Sequence, residues 1–566
     1  MSGSHFALGA VFALVAMGVV GRPGAARAQE GSDARARAFI AVHESTVRPM
    51  EIEVGRRWWD ANTSGKEEVY RRKEEAETRL ELRLADPKTF AALKAIKEAG
   101  VRDKLVAREI EVLCLQYLAK QVDPELLKQM VLKSNAIERA FNVYRPKVRG
   151  KELTDNEVRR VLRESKDSAE RRAVWEASKG VGRIVEKDLK ELVKLRNESA
   201  RKLGFGDYDK VQLALAEQSQ EQVLRLFDEL DALTREPFHQ AKAEIDAVLA
   251  ANCGLPASKL QPWHYQDPFF QESPAIFGQQ NEAVYAGVDI LKVCREFYDG
   301  IGLPVDDVIQ RSDLYERPGK NPHGFCTDID REGDVRVLCN IVPGRQWLAT
   351  MVHELGHGVY SSKNIPRSVP YVLRCESHPL TTEGVAIMYE RFVDNPAWLK
   401  AMGVSVPEPE RFGAAARKMR RNQLLIFSRW CQVMFRFEKE LYGNPDQDLN
   451  KLWWDLVEKY QEVKRPEGRN EPDYASKIHI IIAPVYYHNY QMGELFASQV
   501  HHALVREVLG GGDPATAVYA GNKAAGRFMV QRVFAPGRTL PWNQLTRHAT
   551  GEDLNAKAFA EDLKNR

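Results

Sequence analysis

The chain is short of net charge, of long apolar runs and, over its first half, of glycine and proline. Its 82 Lys and Arg stand against 79 Asp and Glu, a formal +3 over 566 residues. That balance leaves no electrostatic basis for holding nucleic acid or an anionic membrane surface. One run, residues 6–20, is long and apolar, and it falls short of the ~20 residues that a membrane-spanning helix needs. No stable membrane insertion is therefore expected. Between residues 30 and 250 the sparse Gly and Pro, and the alternation of Lys, Glu and Arg with apolar residues at helical spacing, exclude a sheet-rich architecture. Internal repeats and linkers are lacking too, so one large domain is expected, and 44% hydrophobic residues supply its core.

The apolar run has the setting of an export leader. Gly21-Arg22-Pro23-Gly24 and the small-x-small triplet Ala26-Arg27-Ala28 follow it, which predicts removal of residues 1–28 and a mature domain of 29–566 that is secreted or periplasmic. One feature stands apart from the pattern, since His5 and the amino terminus are the only positive groups ahead of the run; no Cys directly follows Ala28 to take a lipid, which fits a soluble mature protein.

An oxidising compartment permits disulfides, but the seven cysteines are an odd number. One pair is predicted. Gly324-Phe325-Cys326-Thr327-Asp328 and Asp334-Val335-Arg336-Val337-Leu338-Cys339 read as two strands about a Glu332-Gly333 turn. Counting outward from a two-residue loop places Cys326 opposite Cys339 at a non-hydrogen-bonded pair, where side chains lie closest. Cys114, beside the stripe Val106, Ile110, Leu113, Tyr117, reads as a small core residue. Elsewhere the chain is helical: Ser219 to Gln222 and Thr154 to Glu157 have the form of capping boxes, each followed by an apolar stripe.

What the chain does have is His353-Glu354-Leu355-Gly356-His357, an HExxH run behind the apolar-periodic segment 346–352. On a helix, residues four apart share a face, so the two imidazoles converge with Glu354 beside them, a geometry suited to a zinc ion and a general base. The extension that would supply a third histidine fails, since Tyr360 and Lys363 stand where Gly and His are required. A downstream carboxylate is the alternative. Glu376 sits in a loop-like run before Pro379, whereas Glu383 opens a segment that reads as a second helix, and a ligand on a helix is held more rigidly. Glu383 is favoured, with Glu376 left as a structural or capping acid.

These residues resemble the angiotensin-converting-enzyme family of zinc peptidyl-dipeptidases, in its bacterial-type, single-domain form. The resemblance rests on HELGH with a following glutamate, the Cys326 to Cys339 hairpin, and Lys477-Ile478-His479 ahead of Pro484-Val485-Tyr486-Tyr487-His488-Asn489-Tyr490. Further landmarks in the same order are Trp59-Asp60-Ala61-Asn62-Thr63, Leu195-Arg196-Asn197-Glu198, Trp453-Trp454 and His501-His502-Ala503-Leu504. Carried over residue by residue, the resemblance implies one zinc ion on His353, His357 and Glu383, with Glu354 as general base. It further implies Tyr490 as oxyanion donor, His479 as its assistant, and Lys477 with Tyr487 gripping the substrate's C-terminal carboxylate.

Gln266, in Trp263-His264-Tyr265-Gln266, is the expected third member of that grip, within a one-residue shift. An extra residue between Lys477 and Tyr487 leaves Tyr486 as a rival for Tyr487. Three further departures stand out. Thr327 occupies the place of a substrate-gripping histidine, Ile387 that of an aspartate supporting a zinc histidine, and Val457 and Asn489 those of two arginines tied to chloride. The support of the metal site is therefore expected to be built otherwise, and chloride dependence to be weak or absent.

The resemblance implies a mostly α-helical ellipsoid in which two abutting halves flank a deep central cleft. A gluzincin-type zinc site with a short β hairpin alongside lies within it, under helices of residues 30–120 that admit only short unfolded peptides. The expected function is zinc-dependent hydrolysis of short peptides with release of C-terminal dipeptides. The alternatives are an oligopeptidase or carboxypeptidase with a different cleavage register, and a non-catalytic helical peptide-binding protein.

Overall fold

A computed structural model describes residues 23–276 and 282–564, so the apolar run of the expected leader lies outside the described residues. The fold is mostly helical, as the periodicity predicts, and among the described residues the strands amount to two antiparallel ladders. One is the small pair β1 (Lys147–Val148) and β2 (Lys151–Glu152); the other is the expected hairpin, β3 (Phe325–Asp328) and β4 (Val335–Leu338). No described helix is long and apolar enough to cross a membrane. The cap at Thr154 forms in full, its hydroxyl accepting from Glu157 N–H at 3.2 Å while Glu157 accepts from Thr154 N–H at 2.8 Å. Ser219 caps the long helix Gln220–Cys253 by accepting from Gln222 N–H at 3.2 Å.

Two hydrophobic cores organise the chain. A continuous one runs from Ile137 to Leu563 and takes in nearly every element after residue 137. A smaller one belongs to the N-terminal helices α1 (Pro23–Thr46), α3 (Glu67–Leu84), α4 (Pro87–Ala99) and α5 (Lys104–Leu118), while α2 (Arg48–Ser64) packs instead with Ile329 and Leu338. The smaller core gathers Ala36, Leu93, Ile110, Leu113 and Tyr117, with Cys114 among them as expected, and reaches the body through Val372 and Leu373. Helix α2 then packs its aromatic pair on the hairpin: Trp58 and Trp59 lie 4.4 and 6.2 Å from the ring of Phe325.

The hairpin corrects the disulfide prediction. Its register pairs Cys326 with Val337 and Phe325 with Leu338, so Cys339 lies past Cys326's partner, and both cysteines carry free thiols. The loop is one of four residues, 330–333, closed by Ile329 N–H donating to Asp334 O at 2.9 Å. Asp328 and Asp330 wind it by accepting from Arg331, Glu332 and Asp334 amides, and Arg331 and Gly333 take φ of 55° and 108°. Counting from a two-residue turn displaced the register by two positions. The outer flank of β4 is occupied by Asp313, which bridges it in parallel, leaving β3 as the outer strand.

Candidate metal centre and active site

Helix α6 (Arg345–Val359) buries Leu348, Met351, Val352, Leu355 and Val359 in the main core, which turns His353, Glu354 and His357 toward its other faces. Helix α7 (Pro379–Glu390) carries Glu383 and crosses α6 at a point with no room for a side chain. A Cβ on Gly356 would sit 2.8 Å from Ala386 Cα. On its far side α7 meets helix α8 (Tyr487–Val508) just as closely, since a Cβ on Gly384 would fall 2.9 Å from Gly493 O. Backbone therefore touches backbone through the stack, and the residues that α6, α7 and α8 carry are set at fixed distances from one another.

The result is a convergence of donors. His353 Nε2 lies 3.2 Å from His357 Nε2 and 3.6 Å from Glu383 Oε2, and one ligand atom from each of the three residues falls within 4.8 Å of the others. Two nitrogens each about 2.0–2.1 Å from a shared tetrahedral ion would stand near that spacing. The outer ring nitrogens are occupied: Nδ1 of His353 bonds Glu390 Oε2 at 2.9 Å and Nδ1 of His357 bonds Thr382 Oγ1 at 2.7 Å. A carboxylate accepting from Nδ1–H fixes the tautomer whose lone pair is on Nε2, which is the state a metal ligand requires. The three residues fit a zinc ion. Glu376 stands apart from this convergence, in the electrostatic company of Asp328 and Arg331.

The support that Ile387 cannot provide comes from Glu390, one turn further along the same helix face. This residue went unread in the sequence, because reach across a helix crossing depends on how closely the helices approach.

Glu354 is buried, and burial followed by the like charges of Glu383 and Glu390 pushes its pKa up to about 7, against the pull of His353 and the Cys326 amide. Burial would depress His353, but the bond to Glu390 and the surrounding carboxylates outweigh it and raise it to about 9. His357 is held down to about 3 by burial and by the charge of His353. Helix α8 brings Tyr490 into the neighbourhood of Glu383, whose charge, after burial, raises the phenol's pKa.

His479 presents a ring 5.2 Å from that of Tyr487, and its Nδ1 is buried without a partner among the described residues. Thr327 lies on β3 opposite Arg336, on the strand face it shares with Phe325.

Of the three residues expected to grip a carboxylate, Lys477 and Tyr487 meet at Gln271 rather than at Gln266. Lys477 Nζ donates to Gln271 Oε1 at 2.7 Å and Tyr487 OH donates to the same oxygen at 3.3 Å. Gln266 is turned away, accepting from Ala275 N–H at 2.9 Å from a backbone with φ 65°. The loop explains the five-residue displacement: Asp267 Oδ1 accepts from the amides of Phe269 and Gln271, winding the chain until Gln271 faces Lys477. The signal available in the sequence was Asp267-Pro268, a turn opener after which residue counting no longer holds. Tyr487 rather than Tyr486 meets Lys477, and the extra residue is absorbed at Val485, which takes φ 56° with its amide donating to Glu438 Oε1 at 2.9 Å. Lys477 is buried among Phe269, Trp430 and Tyr487, which lowers it to about 8, and it has no ion-pair partner among the described residues.

Of the positions tied to chloride, Asn489 is engaged by Gln218 Nε2 at 2.8 Å, and Val457 is buried beside Trp175, Phe269, Trp453 and Trp454.

Comparison with known proteins agrees with this geometry. Relatives named angiotensin-converting enzyme are 24% identical over 442 residues in Rattus norvegicus and 25% over 440 residues in Mesocricetus auratus, in both cases 72% of this chain and 33% of the relative. One from Theromyzon tessulatum is 22% identical over 287 residues, 49% of this chain and 46% of that protein. This chain thus spans about a third of the length of the two mammalian relatives. A family model described as angiotensin-converting enzyme matches residues 30–564, nearly the whole chain, and with that match the chain belongs to the angiotensin-converting enzyme family.

Proposed function

We propose that this chain is a zinc-dependent peptidase that shortens peptides from their C-terminal end, releasing dipeptides. The observation that carries the proposal is the convergence of His353, His357 and Glu383 beside a buried carboxylate, Glu354, with a buried cation, Lys477, that has no ion-pair partner among the described residues. A zinc ion on the three ligands supplies Lewis acidity toward a water and a peptide carbonyl. Glu354, with a pKa near neutrality, takes a proton from the attacking water at its carboxylate and returns it to the departing amine. Tyr490 and His479 donate to the oxygen on which negative charge develops. Lys477, Tyr487 and Gln271 hold the substrate's terminal carboxylate by charge-assisted hydrogen bonds. The outer edge of β3 offers backbone groups to an extended peptide as an added strand. Asn489 and Val457 leave neither position with a cation, so chloride dependence is expected to be weak. The expected leader, residues 1–28, supports action outside the cytoplasm.

The deciding experiment compares the parent with Glu354→Gln for zinc content and peptide digestion, on substrates with free and amidated C-termini. Turnover should fall by roughly a thousandfold in the variant while zinc is retained, and amidation should abolish cleavage in the parent. A zinc-free parent, or a variant as active as the parent, would end the proposal. Products that are single residues or internal fragments would assign the carboxypeptidase or oligopeptidase register instead.

A further inference from the structure

Helices α1 and α4 lie side by side and antiparallel in the N-terminal layer. Ser32 Oγ donates to Gly100 O at 2.6 Å and Asp33 accepts from Arg102 N–H at 2.8 Å, which sets the first half of α1 against the end of α4. Between the two helices runs an open cavity of about 670 Å³. Its walls are Ala38, Phe39 and Val42 from α1 and Ala92, Ala95 and Ile96 from α4, each set spaced by three and four residues, so each helix turns one apolar face toward the cavity. Polar lining gathers at one end. His43 comes eight residues after Arg35, about 12 Å along α1, and the antiparallel packing brings it to the start of α4, where Lys88 and Thr89 stand with Arg83 from the last turn of α3.

The charge at that end has one sign. No Asp or Glu lines the cavity. Asp86, between the two cations in the chain, is spent on capping α4, accepting from Thr89 N–H at 3.0 Å and Lys88 N–H at 3.4 Å. Neither Arg83 nor Lys88 has an ion-pair partner among the described residues. Beneath them His43 is 2% exposed and Tyr117 is fully buried. A phenol is a better donor than a neutral imidazole, so Tyr117 OH donates to His43 Nδ1 at 3.2 Å and the ring proton stays on Nε2, which has no partner among the described residues. At the opposite end Arg35 is turned back on its own helix, its Nε donating to Gly31 O at 3.2 Å. The volume falls within the ~300–1,000 Å³ of small-molecule sites. An apolar channel closed at one end by two unpaired cations and a buried N–H donor is complementary to an aliphatic chain that ends in a carboxylate.

We propose that the groove between α1 and α4 binds a free fatty acid, its carboxylate held by Arg83, Lys88 and His43 and its chain lying along Phe39, Ala92 and Ala95. No residue of this site belongs to the metal centre or the carboxylate grip, so the proposal stands apart from the peptidase reading. Calorimetry on the purified protein measures dodecanoate, below its micellar concentration, beside dodecanol, which has the chain without the charge, and acetate, which has the charge without the chain. Dodecanoate should bind at one site per chain and about 10- to 100-fold more tightly than dodecanol, and acetate should not bind measurably. Arg83→Gln combined with Lys88→Gln should bring dodecanoate to the affinity of dodecanol while dodecanol keeps its own. Ala92→Trp, at an exposed helix position, should fill the channel and abolish the binding of both. The three-ligand comparison needs no substitution and stands if a variant fails to fold. Dodecanol binding as tightly as dodecanoate, binding that survives Ala92→Trp, or no saturable binding at all overturns the assignment. So does binding to vesicles of anionic phospholipid without binding of the free acid, which would make the same cations a membrane-facing patch.

Discussion

The N-terminal helices and the helices that carry the metal centre are held together in different ways. Helices α1 and α3 to α5 share a small core of their own, and with α2 they meet the body through a few apolar residues, through polar links such as Arg48 donating to Glu332 at 2.5 Å and Tyr371 OH donating to Glu51 at 3.2 Å, through the buried pair of Arg108 and Glu217, and at Gly65, where no Cβ would fit against Gly319. Helices α6, α7 and α8 belong to one core that spans Ile137 to Leu563, and glycines bring their backbones close together. The first arrangement tolerates displacement where solvated ion pairs and the small core hold it, since those are cheap to rearrange, and it is fixed where Gly65 meets Gly319 backbone to backbone. The second does not, because a packed backbone contact has no rotamer to relax. Precision has been placed where bond chemistry is expected, and compliance where a covering layer over the hairpin lies.

The largest expected effect breaks the rigid half. Gly356→Ala forces a Cβ to 2.8 Å from Ala386 Cα and should destabilise by about 1–3 kcal/mol, separating Glu383 from the histidines and removing bound zinc and activity together. Wild-type metal content in that variant would show that the crossing is more pliable than the comparison allows. Next is Glu390→Ala, which releases Nδ1 of His353; zinc affinity, read by chelator competition, should fall about 10- to 100-fold while the melting temperature of the metal-free protein holds.

A smaller effect comes from pH. Burial depresses Lys477 to about 8, so its charge is complete below that value and lost above it. KM for free C-terminal peptides should rise about tenfold from pH 7 to pH 9 as the grip neutralises, with kcat little changed; a flat KM would mean that Lys477 does not hold the carboxylate. The smallest effect lies in the compliant half. Arg48→Ala removes a part-exposed link to Glu332 and should shift stability by no more than about 1 kcal/mol, without loss of turnover. A large loss of activity there would make the N-terminal layer part of the active site.

The parts of this architecture set by short-range rules were legible in the sequence. His353, Glu354 and His357 follow from helical spacing, Glu383 from the preference for a ligand on a second helix, and Lys477 and Tyr487 from the motif that carries them. The parts that failed depend on backbone excursions that counting cannot follow. Arg331 in a left-handed conformation lengthened the hairpin loop and separated Cys326 from Cys339. Asp267 wound a loop that exchanged Gln266 for Gln271. Glu390 went unread for a different reason: it takes its meaning from His353, which is distant in the chain, and no local pattern marks it.

The glycine contacts also bear on how this centre can change over evolutionary time. With backbone against backbone at Gly356 and Gly384, no substitution in the interior can shift one ligand alone, so the three must be inherited as a unit. The positions that this packing leaves free to change are the outer partners, Glu390 and Thr382, which meet the imidazoles from the half-buried side of the helix. Lineages that need a tighter or looser metal should differ there, while the inner stack stays as it is.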